Sequence, residues 1–255
     1  MFIEFMFEFI EFLKGILRHF LANGQTVRWV TQSPVMAEMI SGLGQVHLAI
    51  DIGCGGGTYA IELLAPHADQ VIAFDYERHH AWLTYQRAQR KGLKNIYVLV
   101  ASAEALPFKD AVADLLFSSE VLEHLPQDRL AVREFARVSK PNAGKLILSV
   151  PHPPEPFPNP DHVREGYTEP EIRLLLETSG FVIEEQRFCM FTLTRLVLKI
   201  YAFLRIPLPL LFLCHIEHHL SRVISFSNPY DIVVYARHRG DQGVLLSTAS
   251  LSKEG

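Results

Sequence analysis

Apolar residues fall along this chain in short clusters, and two spacings alternate. Leu48-Ala-Ile-Asp-Ile52, Gln70-Val-Ile-Ala-Phe74, Asn95 to Val100, Ala113 to Phe117 and Lys145 to Val150 are compact, mostly apolar runs. Between them, Thr58 to Leu64, Tyr76 to Lys91 and Gln127 to Val138 repeat their apolar positions at helical spacing, and Gly92 marks the left-handed end of the second. Apolar strands alternating with helices predict a mostly parallel sheet covered on both faces. Thr168-Glu-Pro-Glu171 is a capping box that opens a further helix, stopped by Gly180, and Phe181 to Phe188 and Tyr230 to Arg237 predict two closing strands.

Two segments break the alternation. Prolines at 151, 153, 154, 156, 158 and 160 predict a stiff loop leaving the carboxyl end of the fifth strand, the edge on which such sheets bind ligands. Cys189 to Asn228 is too long for a simple connection. Within it, Phe191 to Cys214 is rich in Leu, Phe and Ile, and Arg195, Lys199 and Arg205 are its charged residues. Two readings stand side by side: residues 191–226 form a helical lid over a pocket, or a monotopic element whose basic residues meet lipid phosphates. Pro207 and Pro209 favour a hairpin over a spanning helix. Either reading implies a hydrophobic acceptor.

The first residues, Met1 to Leu21, are also apolar, but Glu4, Glu8, Glu11, Lys14 and Arg18 form one narrow polar stripe. Acids stand where a signal peptide carries positive charge, so residues 1–45 are expected to be a helical cap on the domain. The domain itself is assigned to 46–239, and 240–255 to a disordered tail. At 255 residues and 49% hydrophobic content the chain can build one substantial α/β core. A net charge of −4 opposes nucleic-acid binding. Cys54, Cys189 and Cys214 lack paired spacing, which argues against a disulfide framework and points to a reducing, cytoplasmic setting.

The densest chemistry follows the first strand, which ends in Asp51 and breaks into Gly53, Gly55, Gly56 and Gly57. Glycines there allow a sharp turn and close approach of a ligand to the backbone. A P-loop is excluded, because no Lys-Ser or Lys-Thr follows. Gly55-x-Gly57-x-x-Ala60 meets the looser dinucleotide fingerprint. With Asp51 ahead of it, however, the Asp-x-Gly-x-Gly-x-Gly run resembles the first motif of class I S-adenosylmethionine-dependent methyltransferases.

Other segments are similar to that family in order. Asp75 ends the second strand, 24 positions after Asp51. Ala101 to Phe108 resembles the third-strand loop, Ser118-Ser-Glu-Val-Leu-Glu-His-Leu125 the segment after the fourth strand, and His162 to Phe181 the stretch before the sixth. The resemblance implies a Rossmann-like three-layer sandwich with seven strands ordered 3-2-1-4-5-7-6, the seventh antiparallel. It implies S-adenosyl-L-methionine held by Asp51, Gly53, Cys54, Gly55 and Gly57, by Asp75 on the ribose hydroxyls with Tyr76 beside it, by Ser102, Ala103 and Glu104 near adenine, and by Ser119 near the methionine portion. The family usually has Asp where this chain has Ser102, which puts that adenine contact in doubt.

Methyl transfer from a sulfonium needs alignment above all, and a base only for a protonated acceptor. Glu120, His124 and His152 are the candidates for catalytic roles. Glu120-x-x-Glu123-His124 also occurs in polyprenyl-hydroxybenzoate O-methyltransferases, where it binds a divalent metal; other relatives carry the segment without one, and no metal is assigned here. His152 is a base, a substrate contact or a plain loop histidine; His162, Arg164 and Tyr167 lie over the substrate pocket or in a solvated loop. His215, His218 and His219 have a helical spacing that could hold a metal, but with no acid pattern or second cluster beside them they are read as an interfacial or packed helix face. The expected activity is methyl transfer to a small, hydrophobic acceptor of lipid, polyprenyl or quinone type, with peripheral membrane contact through residues 191–214. The competing reading is a non-catalytic S-adenosyl-binding or membrane-attached interaction protein.

Overall fold

The computed structural model describes residues 24–155, 159–204, 210–224 and 226–240. The apolar stripe of Met1 to Leu21, Pro156 and Pro158 of the proline loop, Pro207 and Pro209, and the tail beyond Gly240 lie outside them. Helix α1 (Gly24–Ser41) precedes strand β1 (Val46–Ile52), and β2 (Ala68–Asp75), helix α2 (Arg78–Arg90) and β3 (Ile96–Val100) follow. Next come β4 (Leu115–Ser119), α3 (Asp128–Val138), β5 (Lys145–Pro151), α4 (Glu169–Thr178) and β6 (Phe181–Cys189). Helices α5 (Thr192–Leu204) and α6 (Leu211–Leu220) lead to the last strand, β7 (Asp231–His238).

These strands form one seven-stranded sheet in the order β3-β2-β1-β4-β5-β7-β6. The first five run parallel, and β7 lies antiparallel to both β5 and β6. The order and the antiparallel seventh strand are those expected. Alternate strand residues feed two cores, one on each face: Ala49, Phe117, Ile147 and Val233 on one side, Ile50, Phe74, Leu116 and Leu148 on the other. This double burial is why the strands read as continuous apolar runs.

Local signals hold in detail. Glu171 accepts the Thr168 backbone N–H at 2.8 Å and its hydroxyl at 2.6 Å, closing the capping box at the start of α4. Gly92 ends α2 with φ +68°. One segment differs: after the glycine loop, Ala60–Leu64 is π-helical, not α-helical, with the Ala65 N–H bonded to the Ala60 carbonyl at 2.9 Å. Such turns occur mostly as single bulges near functional sites.

Helix α1 packs against β6, β7, α5 and α6, so it lies between the sheet and the late insertion. The insertion is a pair of helices that pack on each other. Glu217 of α6, almost fully buried, accepts the Leu193 N–H at 2.5 Å and the Thr194 N–H at 2.9 Å. A carboxylate thereby caps the first turn of α5, where free N–H groups and the helix dipole favour a negative charge.

Candidate active site

The glycine loop opens at the carboxyl end of β1, where strand order reverses between β1 and β4, the usual crevice of a doubly wound sheet. Gly53 and Gly57 have φ of +68° and +74°. A Cβ on them would lie 2.5 Å from Val121 Cγ2 and 2.5 Å from Thr84 Cγ2, respectively. Both positions therefore exclude a side chain twice over, by conformation and by space. The Gly55 N–H donates to Asp75 Oδ2 at 2.8 Å, and the Glu77 N–H to Asp75 Oδ1 at 2.8 Å. Each oxygen keeps a further acceptor position, so Asp75 can still take two hydroxyls.

Asp75, Tyr76, Gly53, Gly55, Ser102, Ala103 and Glu104 line one cleft of about 770 Å³, with Glu120, Val121 and His124 along its far wall. The adenine-side loop is internally braced. Ser102 Oγ accepts the Glu104 N–H at 3.2 Å, and Glu104 accepts the Gln127 N–H at 2.9 Å. Those two side chains shape the loop, which leaves its backbone and Ala103 to face a ligand. Cys54 is buried, and burial pushes its thiol up, so it supports the loop without acting as a nucleophile.

Asp51 sits beneath the loop, 2% exposed, and its Oδ2 has no hydrogen-bond partner. Burial raises its pKa to about 7, with the nearby Asp75 adding to the rise and a hydrogen bond from the Ala60 backbone opposing it. An unpartnered carboxylate oxygen below a backbone cradle suits the ammonium of an amino-acid-bearing nucleoside. Together with Asp75 and the two space-limited glycines, the residues present fit S-adenosylmethionine.

Glu120 occupies the left-handed region at φ +56° and turns its carboxylate from the cleft wall toward α1. It pairs with Arg28 Nη2 at 2.9 Å and accepts from Gln32 Nε2 at 3.2 Å and Ser149 Oγ at 3.1 Å. Gln32 also donates to Asp231 and accepts from the Tyr59 hydroxyl at 2.8 Å. Ser119 joins this group through Ser149, Oγ to Oγ 2.9 Å, and is not part of the cleft lining. Asp231 is buried, and burial followed by the charge of Glu120 pushes its pKa well up. Sequence reading missed Arg28, Gln32, Tyr59 and Asp231. A signal was present: Arg28 and Gln32 are four apart on one helix face, and Asp231 stands directly before the apolar run Ile232 to Ala236.

The Glu120-x-x-Glu123-His124 run does not converge as a unit. Glu120 is committed to Arg28, whereas Glu123 is fully buried with neither oxygen partnered among the described residues. His124 Nε2 lies 4.0 Å from Glu123 Oε1, and the His162 ring meets the His124 ring edge-on at 4.6 Å. His152 stands apart from the cleft, edge-on to Phe188 at 6.0 Å; burial, with the charge of Arg195, lowers its pKa and keeps it neutral. Tyr167 and Arg164 both bind Asp128, fastening the loop after β5 to α3. Of the three late histidines, His218 is buried, and His215 and His219 are exposed.

The fold and the cleft define a Rossmann-like domain with one carboxylate, Asp75, at the edge of a glycine-loop cleft and a second, Asp51, buried beneath the loop. Comparison with known proteins agrees. Residues 50–148 match the model of the methyltransferase domain family. Over 160 residues the chain is 32% identical to a probable S-adenosylmethionine-dependent methyltransferase of Mycobacterium tuberculosis, covering 60% of this chain and 56% of that protein. Over 128 residues it is 32% identical to a demethylmenaquinone methyltransferase of Lactiplantibacillus plantarum, covering 46% and 53%. The chain thus spans about half the length of these curated relatives. The crystal structure of a SAM-dependent methyltransferase from Aquifex aeolicus superposes with a TM-score of 0.58 at 20% identity, over 82% of this chain and 91% of that one, a likeness of fold. Residues 50–148 thus resemble a methyltransferase domain, in a chain whose fold is that of a SAM-dependent methyltransferase.

Proposed function

We propose that the protein transfers the methyl group of S-adenosylmethionine to a small hydrophobic acceptor that it meets at a lipid surface. The observation that carries the donor half is the pairing of Asp75 with the Gly55 and Glu77 N–H groups at the cleft edge. That pairing presets a carboxylate to accept both ribose hydroxyls, while Asp51 receives the ammonium. When bound, S-adenosylmethionine supplies an electrophilic methyl carbon and a neutral thioether leaving group. Glu120 and His124 flank the cleft where an acceptor would enter, and His152 is a neutral imidazole able to take a proton from a hydroxyl acceptor further along the β5 edge.

The acceptor half rests on the helical insertion. Leu196, Phe203, Phe212, Ile216, Val223 and Ile224 are all exposed there, Phe203 and Val223 almost completely. Between Arg187 and Asp231 the sole carboxylate is Glu217, and it is buried, whereas Lys199 and Arg222 are exposed. Arg222 is neutralised by Glu38 of α1, but an apolar surface that carries Lys199 and no exposed acid of its own, in a chain of net charge −4, favours a lipid surface over an aqueous one. Among the described residues no helix is long and apolar enough to cross a membrane, which suits a peripheral contact. The demethylmenaquinone methyltransferase among the relatives is consistent with a quinone-type acceptor.

Two measurements test this. Calorimetric titration with S-adenosylhomocysteine is expected to show one site per chain; a folded protein giving no heat overturns the donor assignment. Incubation with lipid extract and labelled S-adenosylmethionine is expected to place label in an apolar product. Label only in water-soluble products would overturn the acceptor class.

A further inference from the structure

We propose that Glu123, His124 and His162 form a divalent transition-metal site at the mouth of the cleft, with Glu155 steadying His162. One ligand atom from each of the three lies within 4.8 Å of the others. His124 is partly exposed, so a small swing of its ring brings the set to the roughly 2.0–2.2 Å bonds such an ion needs.

Three features distinguish this cluster from a chance gathering of polar side chains. Glu123 is 0% exposed and both its oxygens lack a hydrogen bond, although a buried carboxylate with no partner is costly. His124 Nδ1 lies 2.9 Å from the Asp161 carbonyl, which fixes its proton there and leaves Nε2 free on the Glu123 side. His162 Nδ1 binds the Glu155 carboxylate, which likewise leaves Nε2 as its donor nitrogen. Metal-ligating histidines are characteristically held this way, by a carbonyl or a carboxylate on the other nitrogen. A backbone bond from the Val163 N–H to the Glu123 carbonyl at 3.0 Å locks the two contributing loops together.

Two imidazoles and one carboxylate select zinc-like or ferrous ions over magnesium and calcium, which prefer all-oxygen sites. Three protein ligands leave positions open, and His124 and Asp161 both line the cofactor cleft. The open side therefore faces the space where an acceptor oxygen would sit. Glu120 takes no part, because Arg28, Gln32 and Ser149 occupy it. The site extends the methyltransferase reading without depending on it.

Zinc chloride titrated into the metal-stripped full chain tests the assignment, with S-adenosylhomocysteine titrated into the same samples. One zinc per chain is expected, with affinity at least tenfold lower in Glu123→Gln and His162→Gln, 10–100-fold lower in Glu155→Gln, and within about twofold of the parent in Glu120→Gln. Cobalt(II) substitution should give visible absorption bands that His162→Gln abolishes. The proposal is overturned if a chain that binds S-adenosylhomocysteine takes up no zinc, or if His162→Gln titrates like the parent. Zinc uptake of the expected pattern without S-adenosylhomocysteine binding would support the metal site and count against the donor reading alone.

Discussion

The glycine-loop side and the Glu120 side of the cleft are built on different principles. Asp51, the glycine loop, Asp75 and the 102–104 loop come from strand tips close together in sequence, and their key bonds run between a side chain and a backbone N–H. Across the cleft, Glu120 is held by Arg28, Gln32 and Ser149, with Asp231 alongside, all of it side chain to side chain from segments far apart in the chain. On the proposed function, backbone geometry would hold the one constant nucleoside. Paired side chains can be exchanged two at a time, which suits the half that must match a variable acceptor. The contrast predicts that damage on one side leaves the other working.

The largest effect is expected from Asp75→Ala. It removes both ribose contacts and the anchor of the Gly55 N–H, so S-adenosylhomocysteine affinity should fall by 100-fold or more, about 3 kcal/mol. Arg28→Met should do the reverse. It leaves Glu120 and Asp231 without their cation, and chemical denaturation should show a loss of about 2–3 kcal/mol, below the value for a fully buried pair because Arg28 is one-third exposed. Cofactor affinity should change less than threefold. If Arg28→Met abolishes cofactor binding in a folded protein, the two halves are not separable.

A smaller effect concerns pH. Burial holds the Asp51 pKa at about 7 in the folded chain, well above the ordinary carboxylate value of 3.8, so its neutral form favours the free fold. Its contribution to stability is complete below pH 4 and is lost as pH climbs through about 7. A bound ammonium reverses the preference, so S-adenosylhomocysteine affinity should rise as pH increases toward 7, by about fivefold between pH 6 and 7. Asp51→Asn should flatten both profiles; an unchanged slope would assign them to another group. The smallest change in the fold is expected from Phe203→Ser with Val223→Ser. Both side chains are almost wholly exposed, so stability should move by less than about 0.5 kcal/mol per site while vesicle flotation drops severalfold. Undiminished flotation would remove the hairpin from the membrane contact.

The same division explains what could be read from residues alone. Doubly buried strands, the capping box at Thr168 and Gly92 are local patterns that carried the alternation of strands and helices, whereas the sheet order came with the resemblance to class I methyltransferases. Glu120 stood out in its motif as a candidate, but its partners did not. Arg28 and Asp231 owe their meaning to a helix and a strand brought together only by the fold. Ser119 was placed on the cofactor from its position in a motif, yet the turn at Glu120 directs it to Ser149. His162 met His124 only once the loop after β5 folded back over the segment after β4.

The position of β7 has a consequence for biosynthesis. It is the last strand made, yet it lies inside the sheet, pairing with β5 on one side and β6 on the other. Until residues 231–238 leave the ribosome, both neighbours present raw edges and the apolar hairpin before them has no finished sheet to rest on. Nascent chains stalled or terminated ahead of Asp231 should therefore be captured by chaperones or proteases, because the sheet closes only once residues 231–238 have emerged.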